Sequence, residues 1–427
     1  MIPISRCSSN DHLVIIGNGM ASHRLLEAVV KLPHRPKQIT VIGAEASPAY
    51  NRILLSPLLA DEMPPSALAL RDMQWYAEQG ITLHLNERVL KIDREKQCVV
   101  TSCRTLAYDR LVIATGSRPT LPEVPGIGLK GVYGFRTLQD ADTLAELALR
   151  GGQCVVVGGG LLGLEAAEGL RKRGASVSVL QRSERLMNRQ LDSMAAELLE
   201  TTLAKRGLNI LTHARISHFE DDGAGSLAAV VLEDGQRMPA QSVIVATGVT
   251  PNVELGHQAG LTTQRAIMVD DTLTTSDPLI HALGECCQFE QHTYGLVEPI
   301  WRQVDVLANT LCGDGSARYS EAPTATKLKI SGVTLYAFGP TEATPEHEVL
   351  HYRDPESGDY RRLLLRNGQL EGAVLYGDTH SGPWYFAQAL AKTDLGACRQ
   401  ALLFGEADAN ALLLDNPPTP SSTLEAA

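Results

Sequence analysis

Gly158, Gly160 and Gly163 stand at the spacing G-x-G-x-x-G inside CVVVGGGLLGLEAAEGLRKRGASVSVLQR, Cys154 to Arg182. The chemistry this spacing serves is the holding of a pyrophosphate. The first glycine permits a tight turn, the second lets the backbone approach the phosphates, and the third lets a helix pack closely on a strand. The helix that opens there adds free N–H groups and a positive dipole end. Near the N-terminus, GNGMAS puts Gly17, Gly19 and Ser22 at the same spacing, with a small serine in the third place. Glu45 ends QITVIGAE, where an acidic side chain can accept hydrogen bonds from a ribose. Two such turns imply two dinucleotides, or one dinucleotide and a duplicated scaffold.

The elements needed to position these turns are legible around them. Leu13–Ile16 and Cys154–Val157 are short apolar runs of the kind buried parallel strands show. Ile39–Ile42 and Val177–Leu180 are the following strands, and Gly174 stops a helix that runs from Leu161 to Arg173. The apolar run Leu111–Ala114 ends at Thr115-Gly116, and VATGV, Val245–Val249, repeats that ending. A repeated strand–Ala-Thr-Gly element beside a repeated glycine turn is duplication on the domain scale. Ala49–Pro65 reads as an irregular loop across the first turn, and Trp75–Gln79 as helical. The stretch Leu203–Val249 reads as a β-meander with a hairpin at Asp234-Gly235. LVEPIWRQVDVLANTLCG reads as a helix ending at Gly313, and Cys312–Pro323 as a linker. Lys327–Tyr376 is strand-rich, with a hairpin signal at Asn367-Gly368, and Trp384–Lys392 and Leu395–Phe404 read as helices.

The chain has 427 residues, enough for two or three domains, with 44% hydrophobic and 20% charged content. A formal net charge of −11 argues against nonspecific nucleic-acid binding. No apolar run reaches the ~18 residues of a membrane helix, and MIPISRCSSNDH lacks a signal-peptide core. These features predict a cytoplasmic protein without membrane or nucleic-acid partners. The eight cysteines (Cys7, Cys98, Cys103, Cys154, Cys286, Cys287, Cys312, Cys398) form no C-x-x-C and no metal-ligand spacing, so no metal site is expected. The adjacent Cys286 and Cys287 could do redox chemistry, but such pairs are more often small buried hydrophobes.

GNGMAS, LVIATGSRP, VVVGGGLLGLE, VIVATGVTPN and TSDPLIHALGE occur in this order. In that order they resemble the FAD-dependent pyridine nucleotide oxidoreductases related to glutathione reductase, over roughly residues 11 to 404. The resemblance implies an α/β fold: two Rossmann-like dinucleotide-binding domains of the glutathione reductase type, for FAD and NAD(P), plus a small C-terminal α+β domain. It divides the chain into FAD domain 11–119, NAD(P) domain 120–249, the returning FAD part 250–320 and a C-terminal domain 321–404; the tail 405–427, ending in NPPTPSSTLEAA, reads as disordered from its composition. It implies FAD contacts at Gly17, Gly19, Ser22, Glu45, Arg52, Val89, Thr115, Gly116, Arg118, Gly284 and Glu285. Most relatives carry aspartate where Glu285 stands. Glu298 would open a helix whose positive end faces the flavin. Gly158, Gly160, Leu161, Leu162, Gly163 and Gly248 would contact the nicotinamide cofactor. Glu165 is the family glutamate near the flavin–nicotinamide contact and the one catalytic candidate.

AYNRILLS, LMNRQLD, GLVEPIW, ATKLKISGV and LEGAVLYGD resemble the flavin portion of NAD(P)H nitrite reductase large subunits and the electron-transfer subunits of assimilatory nitrate reductases. The nitrite-reducing members carry siroheme and an iron–sulfur cluster on cysteine-rich segments that have no counterpart here. Disulfide reductases need a cysteine pair in the helix after the first glycine turn, and Met20–Leu32 has none. NADH oxidases and peroxidases use a cysteine near Ser56, where AYNRILLSPLL has none. The expectation is therefore an NAD(P)H-dependent flavoprotein passing electrons to a nitrate or nitrite reductase catalytic subunit. A rubredoxin or ferredoxin reductase is the alternative, and a flavin-binding redox sensor or scaffold is a third reading.

Cofactor choice is read from the end of the second strand. Gln181 is neutral where an acidic residue would select NAD, and Arg182 and Arg185 could accept the extra phosphate of NADP. The resembling branch pulls towards NADH, so NADH is expected to be favoured with NADPH tolerated.

Overall fold

The computed structural model describes residues 10–330 and 332–415. The described residues divide into two compact units: those up to 120, with 135–142 and 248–322, form one, and 121–134, 143–247 and those from 323 to 415 the other.

In the first unit five parallel strands form a sheet in the order Ile280–Ala282, Arg110–Ile113, His12–Ile16, Gln38–Ile42, Ile81–His84. Leu13, Val14, Ile15, Val41, Leu111, Val112 and Ile113 are wholly buried, as a parallel sheet covered on both faces requires. The helices Met20–Val29 and Val297–Cys312 pack against each other, and Leu25, Leu26, Val304 and Leu307 join the same core. A three-stranded antiparallel sheet, Val89–Asp93, Cys98–Thr101 and Thr105–Ala107, lies beside it in the chain.

The second unit repeats the plan. Its parallel sheet runs Asn209–Leu211, Ser176–Leu180, Gln153–Val157, Ser242–Val245, Val132–Gly134. The meander is Ile216–Asp221, Leu227–Leu232 and Arg237–Pro239, after which the chain rejoins the parallel sheet. The remaining sheet is antiparallel, in the order Thr326–Ile330, Val333–Phe338, Gln369–Tyr376, Asp359–Arg366, Glu348–Asp354. Asn367 (φ 51°) and Gly368 (φ 76°) make a hairpin in it, both left-handed, as the Asn-Gly pair predicts.

Several expectations need correction. Ala49–Pro65 is not irregular throughout: Arg52–Leu54 forms a 3₁₀ turn and Leu55–Leu59 an α-helix. Asn51 Oδ1 accepts the Ile53 amide at 3.1 Å, and Leu55, Leu58 and Leu59 bury their side chains. Leu395–Phe404 is two 3₁₀ turns, Gly396–Cys398 and Leu402–Phe404, rather than one helix. Leu203 belongs to the helix Ser193–Lys205, not to the meander. The tail from 405 is not disordered throughout, because Glu406–Asp415 is a helix with Ala409 buried. Residues 416–427 of that tail, and Cys7 with the first nine residues, lie outside the described residues. Phe135–Asp142 falls within the first unit although its flanks belong to the second.

Candidate cofactor sites

The two glycine turns are built alike. Gly17 and Gly158 have φ of 105° and 119°, and their amides donate to Ile42 O and Leu180 O, both at 2.8 Å. A Cβ on Gly17 would meet Ala114 O at 2.2 Å, and one on Gly158 would meet Ala246 O at 2.4 Å. Both first glycines are therefore required by backbone packing. The middle glycines differ in kind: a Cβ on Gly19 or Gly160 would meet nothing within 4 Å. Each caps its helix with extended backbone, no side-chain cap and no acidic residue in the first turn. Such ends leave amide donors and positive dipole uncompensated, and the open space over the middle glycine is a cradle for a phosphate. The third positions diverge. A Cβ on Gly163 would lie 1.9 Å from Gly158 O, whereas Ser22 fits and donates its hydroxyl to Gly17 O at 2.6 Å. Leu161 and Leu162 open the second helix.

Around the first turn the fold gathers residues from distant parts of the chain. Glu45 is ion-paired with Arg52 and accepts the Tyr50 hydroxyl at 2.7 Å. Tyr50 in turn accepts from Arg52 Nη1 at 2.9 Å and from the Leu138 amide at 3.0 Å. Burial raises the Tyr50 pKa, which keeps the hydroxyl protonated. Glu285 is ion-paired with Arg136 and accepts from Ser117 Oγ at 2.8 Å. Gly116 (φ 64°) is beside them, since a Cβ there would be 3.8 Å from both Arg136 Nη2 and Glu285 Oε2. Gly284 (φ 84°) passes close to Ala21 of the first glycine helix and donates its amide to buried Gln303 at 2.8 Å. Thr115 is fastened to Asn252, whose Nδ2 donates to Thr115 O at 2.8 Å. Arg118 turns away from Glu285, to Asn252 Oδ1 at 3.1 Å and Glu254 at 2.7 Å. Val89 is buried at the start of its strand. Glu298 is exposed in the first turn of Val297–Cys312, where its charge partly offsets the helix dipole.

Three residues were missed by sequence reasoning. Arg136 and Tyr50 belong to this network through contacts across 149 and 88 residues, which no local pattern announces. Asn18, between the glycines of the first turn, has its Nδ2 buried without a hydrogen-bond partner in the protein. A buried donor left unpaired beside an open phosphate cradle fits a bound dinucleotide. Its place inside GNG was the available signal.

At the second turn, Gln181 faces the protein. It accepts the Gly159 amide at 2.9 Å and donates to Ser183 Oγ and Arg185 O. Arg185 is also engaged: it donates to Leu191 O at 3.1 Å and pairs with Glu184 and Glu342. A cofactor phosphate at Arg185 would therefore compete with these two carboxylates. Arg182 is exposed. Glu165 lies half-buried in the first turns of the second glycine helix. Gly248 (φ 118°) belongs to the first unit and accepts from the Thr120 amide at 2.9 Å.

Cys286 and Cys287 are fully buried, and burial raises both thiol pKa values. Their thiols donate to Leu283 O at 3.3 Å and Gly284 O at 3.3 Å. Both pack into the core of the first unit. Among the described residues no group of His, Cys, Asp and Glu could hold a metal ion, and no helix is long and apolar enough to cross a membrane.

The model of the pyridine nucleotide-disulphide oxidoreductase family matches residues 11–306. The chain belongs to that family. It is accordingly an oxidoreductase with FAD and NAD(P)H as cofactors, and the two-dinucleotide fold read from the sequence is borne out. Residues 324–391 match the rubredoxin NAD⁺ reductase C-terminal domain. The assimilatory nitrate reductase electron transfer subunit of Bacillus subtilis is 37% identical over 408 residues, 95% of this chain and 52% of that protein. The nitrite reductase [NAD(P)H] of the same organism is 38% identical over 384 residues, 90% of this chain and 48% of that protein. The chain thus spans about half the length of these relatives. Among solved structures, the covalent putidaredoxin reductase–putidaredoxin complex superposes with a TM-score of 0.83 at 26% identity, covering 95% of this chain and 99% of that one.

Proposed function

We propose that this family member carries electrons from reduced pyridine nucleotide through FAD to a separate redox protein, the catalytic component of a nitrate or nitrite reductase, in the cytoplasm. The observation that carries the reading is the pairing of two open glycine cradles with buried Cys286 and Cys287 thiols. Two dinucleotides are provided for, while among the described residues no exposed thiol pair is offered as an internal acceptor. The similarity to an electron transfer subunit of nitrate reductase supports the choice of partner.

In this reading Gly17, Gly19 and Ser22 seat the pyrophosphate of FAD, with the amides of the helix that follows as donors. Asn18 Nδ2 donates from within the turn, and Glu45 accepts from the ribose. Arg136 supplies a positive charge beside Glu285 and Gly116. Gly158, Gly160 and Gly163 seat the pyrophosphate of the nicotinamide cofactor, and exposed Arg182 is the cation assigned to a 2′-phosphate. Glu165 lies on the helix that opens at this turn and is the acidic group assigned to the nicotinamide side. The chemistry FAD supplies when bound is hydride acceptance from the nicotinamide and onward electron transfer. The protein's part is alignment and charge.

The decisive experiment mixes the purified chain, NADH and candidate acceptor proteins. Turnover of a nitrate or nitrite reductase catalytic component, with slow reduction of rubredoxin, is expected. The match of residues 324–391 to a rubredoxin reductase domain keeps the rubredoxin reading specific, and efficient rubredoxin reduction without the other activity would replace the first reading.

A further inference from the structure

We propose that Tyr360, on the C-terminal antiparallel sheet, is a positioning residue for nicotinamide-nucleotide binding, acting through Asp192 on the loop that grips the second glycine turn. This rests on placing that nucleotide at Gly158–Gly163.

The grip is on Gly159. Its amide donates to Gln181 Oε1 at 2.9 Å, and its carbonyl accepts from the Met187 amide at 2.9 Å. A Cβ on Gly159 would stand 2.6 Å from Leu186 Cδ2, so the loop side chain lies directly against the turn. Both backbone groups of a residue flanked by Gly158 and Gly160 are therefore fixed by residues 181–187. The loop itself is tense: Met187 holds a left-handed φ of 45° and is buried with Leu186 and Leu191. A non-glycine residue keeps such a conformation only where its surroundings enforce it.

The enforcement comes from the C-terminal sheet. The loop ends at Asp192, which precedes the helix Ser193–Lys205 and accepts the Ala196 amide through its main-chain oxygen at 3.0 Å. Its carboxylate makes no cap bond. Instead Oδ2 accepts the Tyr360 hydroxyl at 2.6 Å, with Arg362 Nε at 4.0 Å, and Oδ1 is buried without a partner. Asp192 and Tyr360 are 6% and 4% exposed, so water cannot replace the bond. A second tie joins Arg185 to Glu342, just beyond the strand Val333–Phe338, while Arg185 Nε holds Leu191 O at 3.1 Å. Loss of the Tyr360 hydroxyl leaves both carboxylate oxygens of Asp192 short of a donor. The loop then gains freedom to leave Gly159, and the amides of the cradle lose their fixed direction.

The test uses the full chain with FAD bound and ADP-ribose as the probe, titrated by calorimetry, alongside NADH kinetics with ferricyanide. Tyr360→Phe should raise the ADP-ribose Kd and the NADH KM by about 5- to 15-fold, at the low end of what one hydrogen bond to a charged group is worth, because the bond acts on the cradle only through the loop. Its kcat and FAD content should stay unchanged. Asp192→Asn, which still accepts from Tyr360, should retain most of the affinity, and Glu342→Gln should shift the Kd in the same direction by less. A lowered Tm with an unchanged Kd in Tyr360→Phe would overturn the proposal, since the bond would then only hold the fold. If that variant does not fold, Asp192→Ala, which removes the acceptor of the same bond, decides: an unchanged Kd in the folded protein overturns the proposal and a raised one supports it. Gly160→Val separates the two levels. Should it still bind ADP-ribose, the nucleotide site itself is misplaced; should it lose binding while Tyr360→Phe keeps it, only the positioning role fails.

Discussion

Gln181 holds Gly159: its side-chain oxygen accepts the glycine amide at 2.9 Å, and its Nε2 donates back to Arg185 O at 3.1 Å. The residue where NAD-selective relatives would place a carboxylate is thus turned into the protein. No negative charge there repels a 2′-phosphate, and Arg182 remains exposed next to it.

The cofactor ratio follows. NADH should be used with NADPH discriminated by less than ~100-fold in kcat/KM, or about 2.7 kcal/mol. Arg182→Ala should weaken NADPH more than NADH, and Gln181→Glu should move the ratio towards NADH. The measurement is kcat/KM for both cofactors with ferricyanide, and a native ratio far above that limit would show that another residue rejects the phosphate.

The two middle glycines should separate the two cofactors. Gly160→Val should abolish reduction by NADH while the protein stays yellow, and Gly19→Val should lose FAD, because each Cβ enters a space that no protein atom fills. Gly163→Val should instead destabilise the fold, its Cβ starting 1.9 Å from Gly158 O. Absorbance at the flavin band and thermal melting distinguish the outcomes. Loss of FAD from Gly160→Val would mean the assignments are exchanged.

Arg136→Ala should weaken FAD binding by at least ~10-fold, the scale of a lost charge-assisted contact plus an unpaired Glu285. Fluorescence titration of the apoprotein with FAD measures it. An unchanged Kd would reduce Arg136 to a tie for the segment 135–142.

His281 sets a pH window. Burial, reinforced by nearby Arg110, lowers its pKa to about 4. Above the unfolded value, ~6.5, both states are neutral and the group costs nothing. As the pH falls from there towards 4, the unfolded chain takes a proton that the folded chain refuses, so stability drops by on the order of 3 kcal/mol. Denaturant melts of the native chain and of His281→Gln between pH 7 and pH 4.5 should show the smaller fall in the variant. Equal falls would place the acid sensitivity elsewhere.

The sequence by itself determined the two parallel sheets and their glycine turns. Gly17 and Gly158 need positive φ, and the apolar runs Leu13–Ile16 and Cys154–Val157, short, rich in β-branched residues and closed by glycine turns, have the pattern of buried strands. Such signals are local and therefore legible. The short helix Leu55–Leu59 was not, because Pro57 and the polar flanks mask a face that only burial of Leu55, Leu58 and Leu59 makes helical. Tertiary structure alone decided which charges reach the sites. Arg136 meets Glu285 across 149 residues, and Arg185, three residues after Arg182, pairs with Glu342. A charged side chain goes to whichever partner the packed backbone brings within reach, and sequence distance says nothing about that choice.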